Sequence, residues 1–245
     1  MKRPNALLMA DWLDAIFVHF AIDPRKLQPA VPLELDCLDG QAYVSLVAFT
    51  QRNLRPALGG RLSELLAAPL AGHEFLNVRT YVRHGDVRGI FFMAEWIPNR
   101  LAAFVGPRTY GLPYRLGRLR YEGMRREVSS AGRRLSFAGR GDACVAAVQT
   151  ATQASPLQDH FLLERYTAFT HRGGVIRRFD VDHAPWPQRR VAVTLTDTSL
   201  LSLSGDWHPH ARLVSAHYSC GVRDVTISRP RRVALTDPPA PRCRA

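Results

Sequence analysis

Apolar and polar residues alternate mostly with a period of two, so the chain reads first as strands joined by short turns. The stretch 5–22 fits two patterns. Leu13, Phe17 and Phe20 would share a helix face, whereas Ile16, Val18, Phe20 and Ile22 alternate as in a strand; we expect a strand from about Ala15 to Ala21. Asp23-Pro24 follows as an N-cap with proline at the first helical position, which predicts a short helix through Leu27. Leu33 to Cys37, the turn dipeptide Asp39-Gly40 and an alternating return from Gln41 to Thr50 predict a hairpin. Residues 51–72 are expected to be irregular or helical. Phe75 to Arg83 and Gly89 to Trp96 predict a second hairpin around His84-Gly85-Asp86-Val87-Arg88. Phe91-Phe92-Met93 is apolar on both faces, so that strand is expected to be central or buried.

Pro98-Asn99 opens a helix that is expected to stop at Gly106-Pro107. Tyr114 to Val128, Arg134 to Gly139 and Ala143 to Ala151 read as a meander, and Ser155-Pro156 opens a helix with Ser155 as N-cap. Tyr166 to His171 and Val175 to Asp182 form a hairpin around Arg172-Gly173-Gly174. Arg190 to Leu203 reads as a strand followed by a helical segment near Ser199. Leu213 to Tyr218 and Val222 to Ile227 are the last strands. No repeat or compositional shift marks a linker. Residues 1–228 therefore read as one α+β domain, mostly antiparallel sheet curled into a barrel. Residues 229–245 read as a Pro/Arg-rich tail, partly disordered.

Composition narrows the partners. No apolar run in the 245 residues reaches the roughly 18–20 needed to cross a membrane. Asp11 and Asp14 interrupt the apolar N-terminus, which is too short for a signal peptide, so a cytoplasmic protein with no membrane partner is expected. Cys37, Cys144, Cys220 and Cys243 are widely spaced and read as reduced thiols. The net charge is +12, yet of 33 basic residues only Lys2 and Lys26 are lysines, and the arginines are scattered. With no recognition-helix or RNA-binding aromatic motif beside them, no specific nucleic-acid partner is expected. The absence of GxGxxG, Walker, HExxH and GxSxG patterns argues against nucleotide chemistry, and no cofactor is expected. His208-Pro209-His210, with His183 and His217 near in sequence, is a possible metal pair. Pro209 and Gly205-Asp206-Trp207 mark it as a surface loop, and no metal is expected.

The polar groups concentrate in residues 73–121. On the strand, Asn77, Arg79 and Tyr81 share one face, and Glu74, Leu76, Val78 and Thr80 share the other. The Leu76/Val78 face is apolar, so Glu74 is expected to point inward, where burial would raise its pKa and make it a proton donor. The alternative is that Glu74 sits at the exposed start of the strand beside an arginine. His217 has two readings as well, a site residue or a hydrogen-bonded core imidazole.

Glu74-x-x-Asn77-Val78-Arg79-Thr80-Tyr81-Val82 resembles the YqjF-like family, whose function is unknown. So do Arg108-x-x-x-Leu112-Pro113-Tyr114, Phe161-Leu162-x-Glu164-Arg165-Tyr166, His183-x-Pro185-Trp186-Pro187 and His217-Tyr218-Ser219-x-Gly221-Val222. The matches run in order from Trp12 to about residue 225. The family looks like a branch of the acetoacetate decarboxylase superfamily. The resemblance implies that superfamily's cone-shaped antiparallel barrel around an interior cavity, often as an oligomer. It also implies a pocket glutamate, carried over onto Glu74. The superfamily's decarboxylases use a lysine just after a Gly-x-Pro turn, followed by a second lysine. Here the turn is Gly111-Leu112-Pro113, and the lysine positions hold Tyr114 and Arg115. Arginine stays protonated and is not a nucleophile, so no Schiff base is expected.

Three readings follow. The first is an acid–base enzyme acting on a small anionic organic or oxo acid. Glu74 and Tyr114 would be catalytic, and Arg79, Tyr81, Arg108, Arg115 and His217 would hold the substrate. The second is a non-catalytic ligand-binding barrel with the same pocket. The third is a basic interaction protein, favoured only if the arginines cluster on one face.

Overall fold

The structure, a computed structural model, describes residues 5–58, 68–140 and 156–234. The long first strand β1 (Ala6–Ile22) replaces both the helical alternative and the shorter strand that the sequence suggests. Asp23 then caps the short helix α1 (Pro24–Leu27), its side chain accepting from the Arg25 amide. β2 (Glu34–Leu35) and β3 (Ala42–Pro56) flank the Asp39-Gly40 turn, where both residues have positive φ, 51° and 70°. The turn is as expected, but the hairpin is not: β2 pairs with Val82 and Arg83 of the following strand rather than with β3. β4 (His73–His84) and β5 (Val87–Ile97) form the second expected hairpin.

Asn99 caps helix α2 (Arg100–Thr109), accepting from the Ala102 amide. The helix passes through Gly106-Pro107 instead of stopping there, with the Tyr110 amide closing the last turn on the Gly106 carbonyl. β6 (Tyr114–Leu116), β7 (Arg118–Glu122), β8 (Arg125–Ser130) and β9 (Arg133–Arg140) carry the meander, whose expected third strand lies outside the described residues. Helix α3 (Pro156–Leu163) precedes the expected hairpin of β10 (Thr167–Arg172) and β11 (Val175–Asp182); its predicted cap, Ser155, lies outside the described residues. β12 (Gln188–Arg190) and β13 (Ala192–Asp197) lead to a 3-10 segment at Ser199–Ser204. β14 (Ala211–Ser228) runs unbroken through Gly221, merging the two strands expected there. β15 (Arg231–Val233) lies within the stretch read as a tail and pairs with β11.

The strands make two sheets. In the larger, β14-β1-β3-β4-β5-β10-β11 follow one another, and β11 returns to β14 through Val181–Ile227 and Asp182–Thr226, so the sheet closes on itself. The smaller sheet, β13-β9-β8-β7, packs against the outside of this ring. Two cores result. Leu76, Val78, Ala94 and Trp96 face the small sheet's Val128, Leu135 and Phe137. Phe17, Val47, Phe49, Phe75 and Tyr81 face the ring's interior. β3, β4 and β5 are buried on both faces, and in β5 this shows in the sequence as an apolar run rather than alternation. Cys37 is disulfide-bonded, against the expectation of a reduced thiol, and Cys220 is free. Among the described residues no helix is long and apolar enough to cross a membrane.

Candidate functional site

The ring encloses a cavity of about 170 Å³ whose wall is mostly aromatic and aliphatic. Its polar groups come from β4, β5, β6 and the segments flanking β10. On β4 the odd-numbered residues turn inward, so His73, Asn77 and Arg79 line the cavity while Glu74 does not. Glu74 instead borders a surface hollow with Arg52, Pro98 and Asn99, at the partly exposed start of the strand. The inward placement expected for it assumed one apolar face per strand, but the Leu76/Val78 face packs on the small sheet.

The cavity's carboxyl is Glu95. A regular strand would put Phe92 and Glu95 on opposite faces. The β4–β5 register runs Val78–Ala94 then Arg79–Phe92, skipping Met93, and this bulge turns both Phe92 and Glu95 inward. Glu95 is 4% exposed, Oε2 has no hydrogen-bond partner, and burial alone holds its pKa well above the carboxylate range. Its neighbours across the sheet are Asn77 on β4, whose Oδ1 is also unpartnered, and Tyr114 on β6. Burial, then the adjacent Glu95 and Tyr110, pushes the Tyr114 phenol well up, so it is a neutral donor. Gly106 of α2 makes room for that phenol: a Cβ there would lie 2.4 Å from Tyr114 Cε2.

Arg79 is 7% exposed and forms no salt bridge among the described residues. Its Nη2 donates to the Leu162 carbonyl at 3.4 Å, its Nε is unpartnered, and its Cζ lies 5.7 Å from the Phe17 ring. Burial pulls its pKa down. Arg165, the second cavity arginine, is ion-paired instead: its Nη2 lies 3.0 Å from the buried Asp36 without forming a hydrogen bond to it, and Asp36 takes its two hydrogen bonds from Arg88. His73 has both ring nitrogens unpartnered, and burial, reinforced by Arg52, lowers its pKa to about 4.

The other expected binders lie elsewhere. Arg108 is exposed, donates to the Phe104 carbonyl and stacks 3.6 Å from the Phe104 ring centroid. Arg115 follows Tyr114 on β6, so it points to the opposite side and is exposed. Tyr81 and His217 belong to a buried hydrogen-bonded chain. The Tyr81 hydroxyl lies 2.7 Å from the Leu162 carbonyl and 2.6 Å from Ser45 Oγ. Ser45 meets His19 Nδ1 at 2.6 Å, and His19 Nε2 meets His217 Nδ1 at 3.2 Å. His217 Nε2 then donates to Asp159 at 3.1 Å, and Arg190 clamps the same carboxylate. Burial opposes ionisation of Asp159, but the bonds from His217 and Arg190 outweigh it and bring its pKa to about 2. His19 is held well below the usual imidazole range by burial and then by His217. The core-imidazole reading of His217 thus fits its place in the structure.

Sequence reasoning missed Glu95, although a signal existed. It is the lone charge in Phe91-Phe92-Met93-Ala94-Glu95-Trp96-Ile97, a strand expected to be buried on both faces. Trp12, Trp186 and Arg165 also line the cavity and were read only as motif residues. No group of three His, Cys, Asp or Glu able to hold a metal ion occurs among the described residues. Lys26 is exposed on α1, and no lysine lines the cavity among the described residues.

Residues 9–223 match the DUF2071 family of uncharacterized conserved proteins. The uncharacterized protein YqjF of Bacillus subtilis (strain 168) is 30% identical over 192 residues, covering 74% of each chain. Among solved structures, one titled for structural studies of acetoacetate decarboxylase has a TM-score of 0.63 at 14% identity and covers 94% of this chain and 90% of its own. An acetoacetate decarboxylase-like enzyme from Sphingomonas wittichii RW1 gives 0.59 at 17% identity, covering 93% of each. The enduracididine biosynthesis enzyme MppR, complexed with pyruvate, gives 0.61 at 14% identity, covering 97% of this chain and 93% of its own. The closed, mostly antiparallel ring with its few short helices is thus the acetoacetate-decarboxylase-like fold, and the chain belongs to the DUF2071 family.

Proposed function

We propose that the cavity binds a small organic acid, with oxo acids as the substrate class, and performs acid–base chemistry on it without a Schiff base. The observation that carries this is Arg79, a buried guanidinium with no carboxylate partner among the described residues. An unpaired buried cation costs several kcal/mol. An incoming carboxylate would supply the missing charge and accept two parallel hydrogen bonds.

In this reading the reacting end of the acid lies against Tyr114 and against Glu95, which takes the place of Glu74 as the proton donor. A neutral carboxyl in an apolar site donates a hydrogen bond to a carbonyl oxygen and polarises it, so that the neighbouring C–H loses its proton to water more readily. Tyr114 is a second donor to the same oxygen. Asn77, the register partner of Glu95 on the adjacent strand, is a further hydrogen-bonding group at the same level, its Oδ1 free to accept from the ligand. The pyruvate held by MppR supports the substrate class. No lysine lines the cavity among the described residues, so the reading contains no iminium step and does not include acetoacetate decarboxylation.

Calorimetric titration with 2-oxo acids, paired with NMR of deuterium exchange at the carbon next to the carbonyl, tests it. Arg79→Gln should weaken binding at least about tenfold, whereas Glu95→Gln should keep binding and slow exchange by about 100-fold or more. Borohydride should trap no covalent adduct. Binding without any exchange would leave a ligand-binding barrel, and no binding at all would remove the reading.

A further inference from the structure

The acid-binding reading leaves most of the cavity unassigned. About 10–15 Å³ suffices for one ordered water by this kind of measure. The cavity's 170 Å³ therefore has room for on the order of a dozen non-hydrogen atoms. A three-carbon oxo acid occupies about half of that.

The polar and apolar parts of the wall are separated along the strands. Strand residues advance about 3.3 Å each, so inward side chains on β4 follow one another at about 6.6 Å. Arg79 comes first, then Asn77 with Glu95 and Tyr114 beside it in register, then Phe75. Beyond Asn77 the wall is aromatic apart from Gln51 and from His73, the last inward residue of β4, which stacks on Phe75 at 4.6 Å. Phe75 stacks on Phe49 at 5.1 Å and 7°, and Phe49 meets Trp12 at 5.4 Å. Trp12 lies nearly parallel to Trp186, 6.3 Å away. A hydrated ligand end would gain little from such a wall and an aliphatic one would gain burial alone, whereas a flat ring gains both burial and offset stacking.

We propose that the ligand is an aryl-substituted oxo acid: a carboxylate on Arg79, a carbonyl oxygen one step along at Glu95 and Tyr114, and an aromatic ring against Phe49, Phe75 and Trp12. This inference rests on the acid-binding reading and adds the substituent to it. Every contact belongs to a side chain that lines the cavity.

Titration of the full chain with pyruvate, phenylpyruvate and toluene, read by calorimetry and by tryptophan fluorescence, tests it. Phenylpyruvate should bind at least about tenfold tighter than pyruvate and quench the fluorescence, and Phe75→Leu, which keeps the bulk, should shrink that ratio. A ratio near one in the parent, or an unchanged ratio in the variant, overturns the aryl assignment but leaves the acid-binding reading standing. If toluene binds and neither acid does, or if nothing binds, both fall.

Discussion

Glu95 is held neutral by burial alone, with no cation among the causes of its shift. This fixes the sign of a pH effect. A carboxyl whose folded pKa lies above its unfolded value costs nothing extra at low pH. The stability it leaves intact is fully present below the unfolded value of 4.5 and is lost as pH rises towards the folded pKa. Above pH 5 this effect should lower the melting temperature of the parent protein relative to a variant that cannot ionise at this position, whereas His19 and His73, whose pKa values burial lowers, act in the opposite direction in both proteins alike. Glu95→Gln is such a variant, so the two profiles should converge near pH 5 and separate above it. Parallel profiles would mean that Glu95 ionises as freely in the fold as outside it. At this scale the sequence disclosed Arg79 and Tyr114 through residue type and motif. It misdirected on Glu74, because one residue's face cannot be read from a strand that is apolar on both sides.

Helix α2 acts on the site through a missing side chain. Gly106 is the surface on which the Tyr114 ring rests, with 2.4 Å between a notional Cβ and Cε2. Gly106→Ala should cost about 1–3 kcal/mol in urea denaturation, because the ring is confined and must shift. The same change should alter ligand affinity if Tyr114 touches the ligand, and leave it unaltered if not. Elements fixed by local chemistry were legible in advance: the Asp23 and Asn99 caps and the Asp39-Gly40 turn appear where their residue types place them. Elements fixed by distant partners were not. β2 leads into a correct turn yet joins β4, because its pairing was decided by chain some fifty residues on. The Tyr81–Ser45–His19–His217–Asp159 chain joins four strands and one helix, and no local pattern could have assembled it.

Across the whole molecule, the net charge is +12, and part of the arginine charge is met locally by carboxylates. Arg25, Arg55, Arg88, Arg120, Arg126, Arg165, Arg190 and Arg223 each meet a carboxylate, on different elements. Binding to duplex DNA should accordingly show no sequence preference and fade by about 200 mM salt, as measured by fluorescence anisotropy. Tight, selective binding at that salt would favour the third reading instead. The ring's strands serve two cores at once, so the phase of each strand decides which side chains meet the cavity and which meet the small sheet. On β5 that phase is reset at Met93. Remove this one residue and strict alternation returns: either Ile90 and Phe92 or Glu95 and Ile97 must leave the interior for the opposite core. The chemistry of the cavity is thus spelled partly in the count of residues along a strand, and losing a methionine that lies outside the cavity wall would rewrite it without altering a single residue that lines it.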